Sequence, residues 1–119
     1  MRKIDFTCKR VTLQDLVQCN YSLNDSEYEI FSQIIKSRRG LSVKELVDKT
    51  AKDRTTVQKI LTKLIKRKLL MKRQMNLERG FMFVYFSKNR DEIFNEIEEN
   101  VENYFKTIKQ SLEAWKNKK

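Results

Sequence analysis

The sequence contains no histidine and no proline, and only two glycines and two cysteines. Without histidine the chain lacks the commonest general base and the commonest metal ligand. Cys8 and Cys19 are too few for a disulfide scaffold and have no CxxC spacing, so they read as small hydrophobes. With Gly40 and Gly80 as the only strong breakers, the chain is expected to be mostly helical, with turns at those two positions. No apolar run is long enough to span a bilayer. The N-terminal MRKIDFTCKR lacks the apolar core of a signal peptide, which leaves a cytoplasmic protein with no membrane partner as the expectation.

What is present is charge. Of 119 residues, 35% are charged and 39% hydrophobic, the balance of one small domain with a modest core. Lysine and arginine number 26 against 16 acids, a formal net charge of +10, which favours a polyanionic partner. The distribution is uneven. From Asp91 onward there are five lysines and seven acids, a net of −2, which leaves +12 on the first 90 residues. Residues 49–79 hold 11 of the bases and only Asp53 and Glu78 as acids.

Periodicity and capping divide the chain into elements. Thr12 to Gln18 reads as a short helix with Thr12 and Asp15 in capping-box relation. Asn24 and Glu27 form a stronger start signal, followed at helical spacing by Tyr28, Phe31, Ile34 and Ile35, with Gly40 ending the run. Ser42 and Glu45 open a third helix to about Thr50. Asp53 is the N-cap of a fourth, DRTTVQKILTKLIKRKLL, in which Val57, Ile60, Leu61, Leu64 and Ile65 make one buried stripe. At about 100° per residue, Thr55, Lys59, Thr62 and Lys66 lie opposite that stripe, flanked by Gln58 and Lys63. After Lys68 the period changes. Leu69 to Met75 and FMFVYF, from Phe81 to Phe86, predict a hairpin turning at 76–80, with Gly80 at positive φ and FMFVYF covered on both faces. A last helix of close to 28 residues, roughly 42 Å, begins near Asp91. Its stripe holds Ile93, Phe94, Ile97, Val101, Tyr104, Phe105, Ile108, Leu112 and Trp115. A helix this long cannot bury such a stripe on a small domain, so Phe94 to Trp115 are expected to meet a second copy.

Helix, helix, tight turn, helix, hairpin is the order of a winged helix-turn-helix. The expected fold is therefore mainly α with a small β-hairpin wing. A winged-helix domain with an N-terminal helical extension would occupy residues 1–88, and a dimerisation helix residues 89–119. The side chains free to face base edges or nearby phosphates are Arg54, Thr55, Thr56, Gln58, Lys59 and Thr62. Lys44, Lys49, Thr50, Lys63 and Lys66 are expected on the phosphate backbone. Arg79 at the hairpin tip can reach a neighbouring minor groove, with Lys72 and Arg73 along the strand near phosphates. Because Lys72 and Arg73 alternate, at most one of them points at a given groove.

The stretch from Ser22 to Leu70 resembles the DNA-binding domain of archaeal TrmB-like regulators and, more loosely, of MarR-type regulators. The motifs are the L-x-x-x-E of Leu23 to Glu27, leading into Ile30 and Phe31, then GLSVKEL from Gly40 to Leu46, and DRTTVQKILTKL from Asp53 to Leu64. The resemblance implies a homodimeric transcription factor that binds double-stranded DNA. TrmB proteins often carry a C-terminal sugar-binding domain; here one helix follows the hairpin, so sugar sensing is not carried over. The lysine- and isoleucine-rich style is compatible with an archaeal or viral origin.

Each feature has an ordinary counterpart. A polar helix face is usually just solvated, and a charged loop tip usually just charged; the winged-helix order and the density of bases favour DNA here. The carboxylates from Asp91 to Glu102 match solubility and the helix dipole, and no second ligand type accompanies them. No metal, cofactor or enzymatic activity is expected. Two other readings are a winged helix that serves as a protein-interaction module and a chromatin-like or RNA-binding protein with little sequence preference. A redox role for Cys8 and Cys19 is the minor alternative to simple packing.

Overall fold

The computed structural model describes residues 4–6 and 9–118. A short antiparallel hairpin comes first, β1 (Ile4–Phe6) with β2 (Lys9–Val11), an element the sequence reading had not distinguished. Cys8 lies outside the described residues; Cys19 is exposed. Four helices follow: α1 (Leu13–Tyr21), α2 (Asp25–Lys36), α3 (Val43–Thr50) and α4 (Arg54–Lys66). The wing is β3 (Leu70–Asn76) paired antiparallel with β4 (Phe81–Ser87), and α5 (Arg90–Asn117) closes the chain.

The helix starts obey local chemistry. Thr12, Asn24 and Ser42 each accept from the backbone N–H three residues on, and Asp15, Glu27 and Glu45 accept from the cap N–H in return. Asp53 caps α4 by accepting from the Thr56 N–H at 3.1 Å and the Thr56 hydroxyl at 2.6 Å. The ends follow less obvious rules. α2 stops at Lys36, not at Gly40: Ser37 turns extended and its hydroxyl donates to the Gly40 carbonyl. Gly40, at φ +77°, instead lets the chain pass tightly against β4. Ala51 takes a left-handed conformation (φ +57°), its N–H on the Val47 carbonyl, and so makes the sharp turn between α3 and α4.

The core sits between α2, α3, α4 and the base of the wing, around Ile30, Ile34, Leu41, Leu46, Val57, Leu61, Leu64 and Leu69. Leu41 exchanges backbone hydrogen bonds with Tyr85 (3.1 and 2.9 Å), tying the segment before α3 to the wing. β4 departs from expectation. Only Val84 and Tyr85 are buried, whereas Phe81 and Met82 are exposed, because the first half of the strand runs out beyond the helices. α5 also differs. Ile93 and Ile97 are buried in the chain's own core and Val101 packs against it, after which the helix stands free, in a molecule 73 Å long and 24 Å across. Ile97, at 9% exposure, is thus a core residue and not part of a free dimerisation face; α5 spends its first turns on α1.

Glu27 is the one buried charged residue among those described, at 8% exposure, and it holds the core's edge together. Burial raises its pKa, but the Lys63 hydrogen bond, the Asn24 N–H and the charges of Lys63 and Arg67 outweigh this and hold the carboxyl below its ordinary 4.5. A carboxyl depressed on folding contributes stability that is present above the unfolded value and lost as pH falls through the folded one. Glu45, under Ser42 and Arg39, and Glu96, under Lys88 and Tyr21, are shifted the same way. The melting temperature is therefore expected to hold above pH 5 and to fall below about pH 4. Glu27→Gln, which keeps a capping acceptor, should melt lower at neutral pH and lose less on acidification; parallel curves for the two proteins would remove Glu27 from this account.

Candidate nucleic-acid interface

α4 is held by its Val57, Ile60, Leu61 and Leu64 side and turns the other side outward. Arg54, Thr55, Gln58, Lys59, Thr62 and Lys66 are all exposed, and α4 itself carries no acid. The Thr62 hydroxyl donates back to the Gln58 carbonyl at 3.0 Å, and its oxygen can still accept. Lys44 and Lys49 on α3 and Lys72, Arg73 and Arg79 on the wing are exposed as well. Arg67 and Lys68, exposed just past α4, extend the same charge and were not singled out from the sequence. Their signal was available, since both follow Lys66 directly.

Three expected contacts, Lys63, Thr56 and Thr50, have partners within the fold. The Lys63 ammonium lies 2.8 Å from Glu27 Oε1 and 2.9 Å from the Ser22 carbonyl, so it clamps α4 to the start of α2 and is not free for phosphate. Thr56 is half-buried and its hydroxyl serves the Asp53 cap. On the helical wheel both positions fall beside Ile60, at the margin of the buried stripe, and that position decides their role. Thr50, expected on the backbone, donates its hydroxyl to the Leu46 carbonyl at 2.7 Å.

The wing register sorts its side chains. Lys72 pairs with Tyr85 and Arg73 with Val84, which places the two cations on opposite faces. Lys72 Nζ sits 3.9 Å from the centre of the Phe83 ring, and the Arg73 guanidinium 5.2 Å from Phe86. These rings steady the long side chains without discharging them. At the tip, the Leu77 N–H donates to the Gly80 carbonyl across the turn, and Gly80 has φ +84°. Arg79 is thereby held at the outermost point of the hairpin. At the base, burial raises the Tyr85 pKa, and the charge of Arg54 opposes that shift.

Along α5, Phe94 (62% exposed), Tyr104, Phe105, Leu112 and Trp115 (76%) are uncovered, with Ile108 half-buried on its own helix. No helix among the described residues is long and apolar enough to cross a membrane, so this stripe is not a span.

Known proteins share this architecture. An uncharacterized protein of Methanocaldococcus jannaschii is 29% identical over 104 residues, covering 87% of this chain and 86% of its own. A solved structure described as a possible transcriptional regulator from Methanosarcina mazei Go1 superposes with a TM-score of 0.80 at 25% identity, covering 98% of each chain. Staphylococcus aureus MarR, in complex with salicylate and kanamycin, shares the fold at a TM-score of 0.51 and 17% identity, over 90% of this chain and 68% of its own. These likenesses agree with the winged-helix regulator that the sequence resembles. The penicillinase repressor family matches residues 23–118, from the cap of α2 through the turn, α4 and the wing to the end of α5. The chain belongs to that family and is a DNA-binding transcriptional regulator of the winged helix-turn-helix type.

Proposed function

We propose that the protein binds particular double-stranded DNA sequences as a homodimer. α4 lies in the major groove and the wing on the adjacent backbone or minor groove. The two half-sites are about one helical turn, roughly 34–36 Å, apart. The observation that carries this reading is the outward face of α4, exposed along its length and free of acids, beside a wing whose cations project beyond the body. Thr55, Gln58, Lys59 and Thr62 have the donors and acceptors that base edges require, while Lys44, Lys49, Lys66 and the wing cations suit phosphates. The uncovered aromatic side chains of α5 support pairing with a second copy.

An unbiased selection from random duplexes with the purified protein tests this directly. Enrichment of a two-fold-symmetric sequence is the expected result. A flat outcome would favour a chromatin-like or RNA-binding protein, and no binding at low salt an interaction module. Substitutions then separate the roles. Lys59→Ala with Thr62→Ala should relax the preference at particular positions. Lys66→Ala should weaken all sequences alike and reduce the salt slope by about one. Lys63→Met should chiefly lower stability, by about 1–2 kcal/mol, because it leaves Glu27 without its cation. A Lys63 variant that melts normally but binds poorly would return Lys63 to the interface.

A further inference from the structure

One helix, α5, joins the DNA-binding head to the uncovered aromatic stripe. The first three turns of α5 are held by directional contacts as well as by Ile93, Ile97 and Val101. The Arg90 guanidinium donates to the Ile35 carbonyl of α2 at 2.7 Å. One and a half turns on, Glu96 uses both carboxylate oxygens: the Tyr21 hydroxyl, at the end of α1, donates to Oε1 at 2.6 Å, and Lys88 Nζ donates to Oε2 at 2.5 Å. Lys88 belongs to the connection leaving β4. Its ammonium lies 5.8 Å from the Tyr21 ring centre, and its backbone N–H donates to the Leu69 carbonyl at the base of the wing. One further turn along, Asn100 donates to Asn20 at 2.7 Å.

We propose that Tyr21, Glu96 and Lys88 form a positioning latch that sets the angle of α5 on the DNA-binding head, and so the half-site spacing that the dimer accepts. The inference rests on the dimeric DNA-binding reading. Apolar contacts such as Ile93 and Ile97 hold a helix down but let it roll or tilt, since they have no preferred direction. Two hydrogen bonds to one carboxylate, from two different elements, fix both. The lever beyond the latch is long: the 16 residues from Glu102 to Asn117 span about 24 Å. A tilt of about 10° at the latch displaces the far end by about 4 Å, more than the rise of one base-pair step of about 3.4 Å. Small changes at Glu96 therefore become changes of register on DNA.

Tyr21→Phe removes only the hydroxyl, and Glu96→Gln removes the charge and turns one of the two accepting oxygens into a donor, so both variants weaken the latch while keeping the ring and the side-chain volume that packing needs. Each is measured against palindromes taken from the selection above, with the central spacer varied one base pair at a time, and against a single half-site. The wild type should show one sharp optimum. Both variants should bind the half-site within about twofold of wild type, yet lose roughly three- to tenfold of the discrimination between the optimal spacer and its neighbours. Unchanged spacing profiles in both variants overturn the latch and leave the DNA reading intact. A uniform loss at every spacer and at the half-site also overturns it, since that marks a general weakening of the head. A wild type with no spacing optimum overturns the dimeric reading and the latch with it, before any variant is made.

Discussion

Gly40→Ala is expected to destabilise the protein by about 3 kcal/mol, a drop in melting temperature of roughly 10 °C. Two independent costs add. The backbone at Gly40 has φ +77°, a left-handed conformation that a side chain makes unfavourable. A Cβ built there would lie 2.7 Å from Phe86 Cε1 and 2.8 Å from Val84 Cγ1, too close without movement of β4. Neither neighbour is the loose end of a long side chain, and Val84 is buried. Gly80 supplies the control. Its φ is +84°, but nothing lies within 4 Å of where its Cβ would be, so Gly80→Ala should cost only the backbone term, about 1 kcal/mol. Thermal or denaturant unfolding of the two variants side by side is the measurement. Equal losses would mean that the close approach of residue 40 to the wing carries no weight. Since the Leu41–Tyr85 hydrogen bonds adjoin this contact, Gly40→Ala should also loosen the wing and raise amide exchange in β4 before global unfolding.

The second large effect concerns assembly. Truncation after Glu102 should give a monomer whose head is still folded, and should lower affinity for a palindromic site by at least 100-fold while leaving half-site binding nearly intact. The cut is placed by the structure. Asn100 bonds to Asn20 and Val101 packs on the core, whereas Tyr104, Phe105, Leu112 and Trp115 touch no other element enough to be covered. A cut before Asn100 would confuse loss of dimerisation with damage to the head. Trp115, the chain's single tryptophan, reports on the same event: its emission should shift to the red as the full-length protein is diluted through its dissociation range. Light scattering that finds the truncated chain still dimeric would move the interface to another surface.

Much of this molecule was readable from its residues. The four N-caps, the buried stripe of α4, the tight turn before it, the positive φ of Gly80 and the length of α5 all follow from chemistry acting over three or four residues. So did the outward set Thr55, Gln58, Lys59 and Thr62, because a helical wheel needs only one helix. The end of α2 was misplaced because Gly40 suggested a helix stop, while its actual use, a close approach to β4, involves residues more than 40 positions away. FMFVYF looked fully covered because hydrophobicity does not tell how far a hairpin projects from its body.

Composition, charge and periodicity thus determined, without any structure, that the chain is a mostly helical domain with a basic helix, a wing and a long apolar-striped tail. Those features arise from backbone hydrogen bonding and side-chain spacing within single elements. The tertiary structure decided what each side chain at the margins is for. Lys63 meets Glu27 across 36 positions, Tyr21 meets Glu96 across 75, and Ile97 turns inward on α1. A lysine looks the same in sequence whether it faces phosphate or a buried carboxylate. Only the packing of one element on another, which follows from the whole core and not from any local window, tells the two apart.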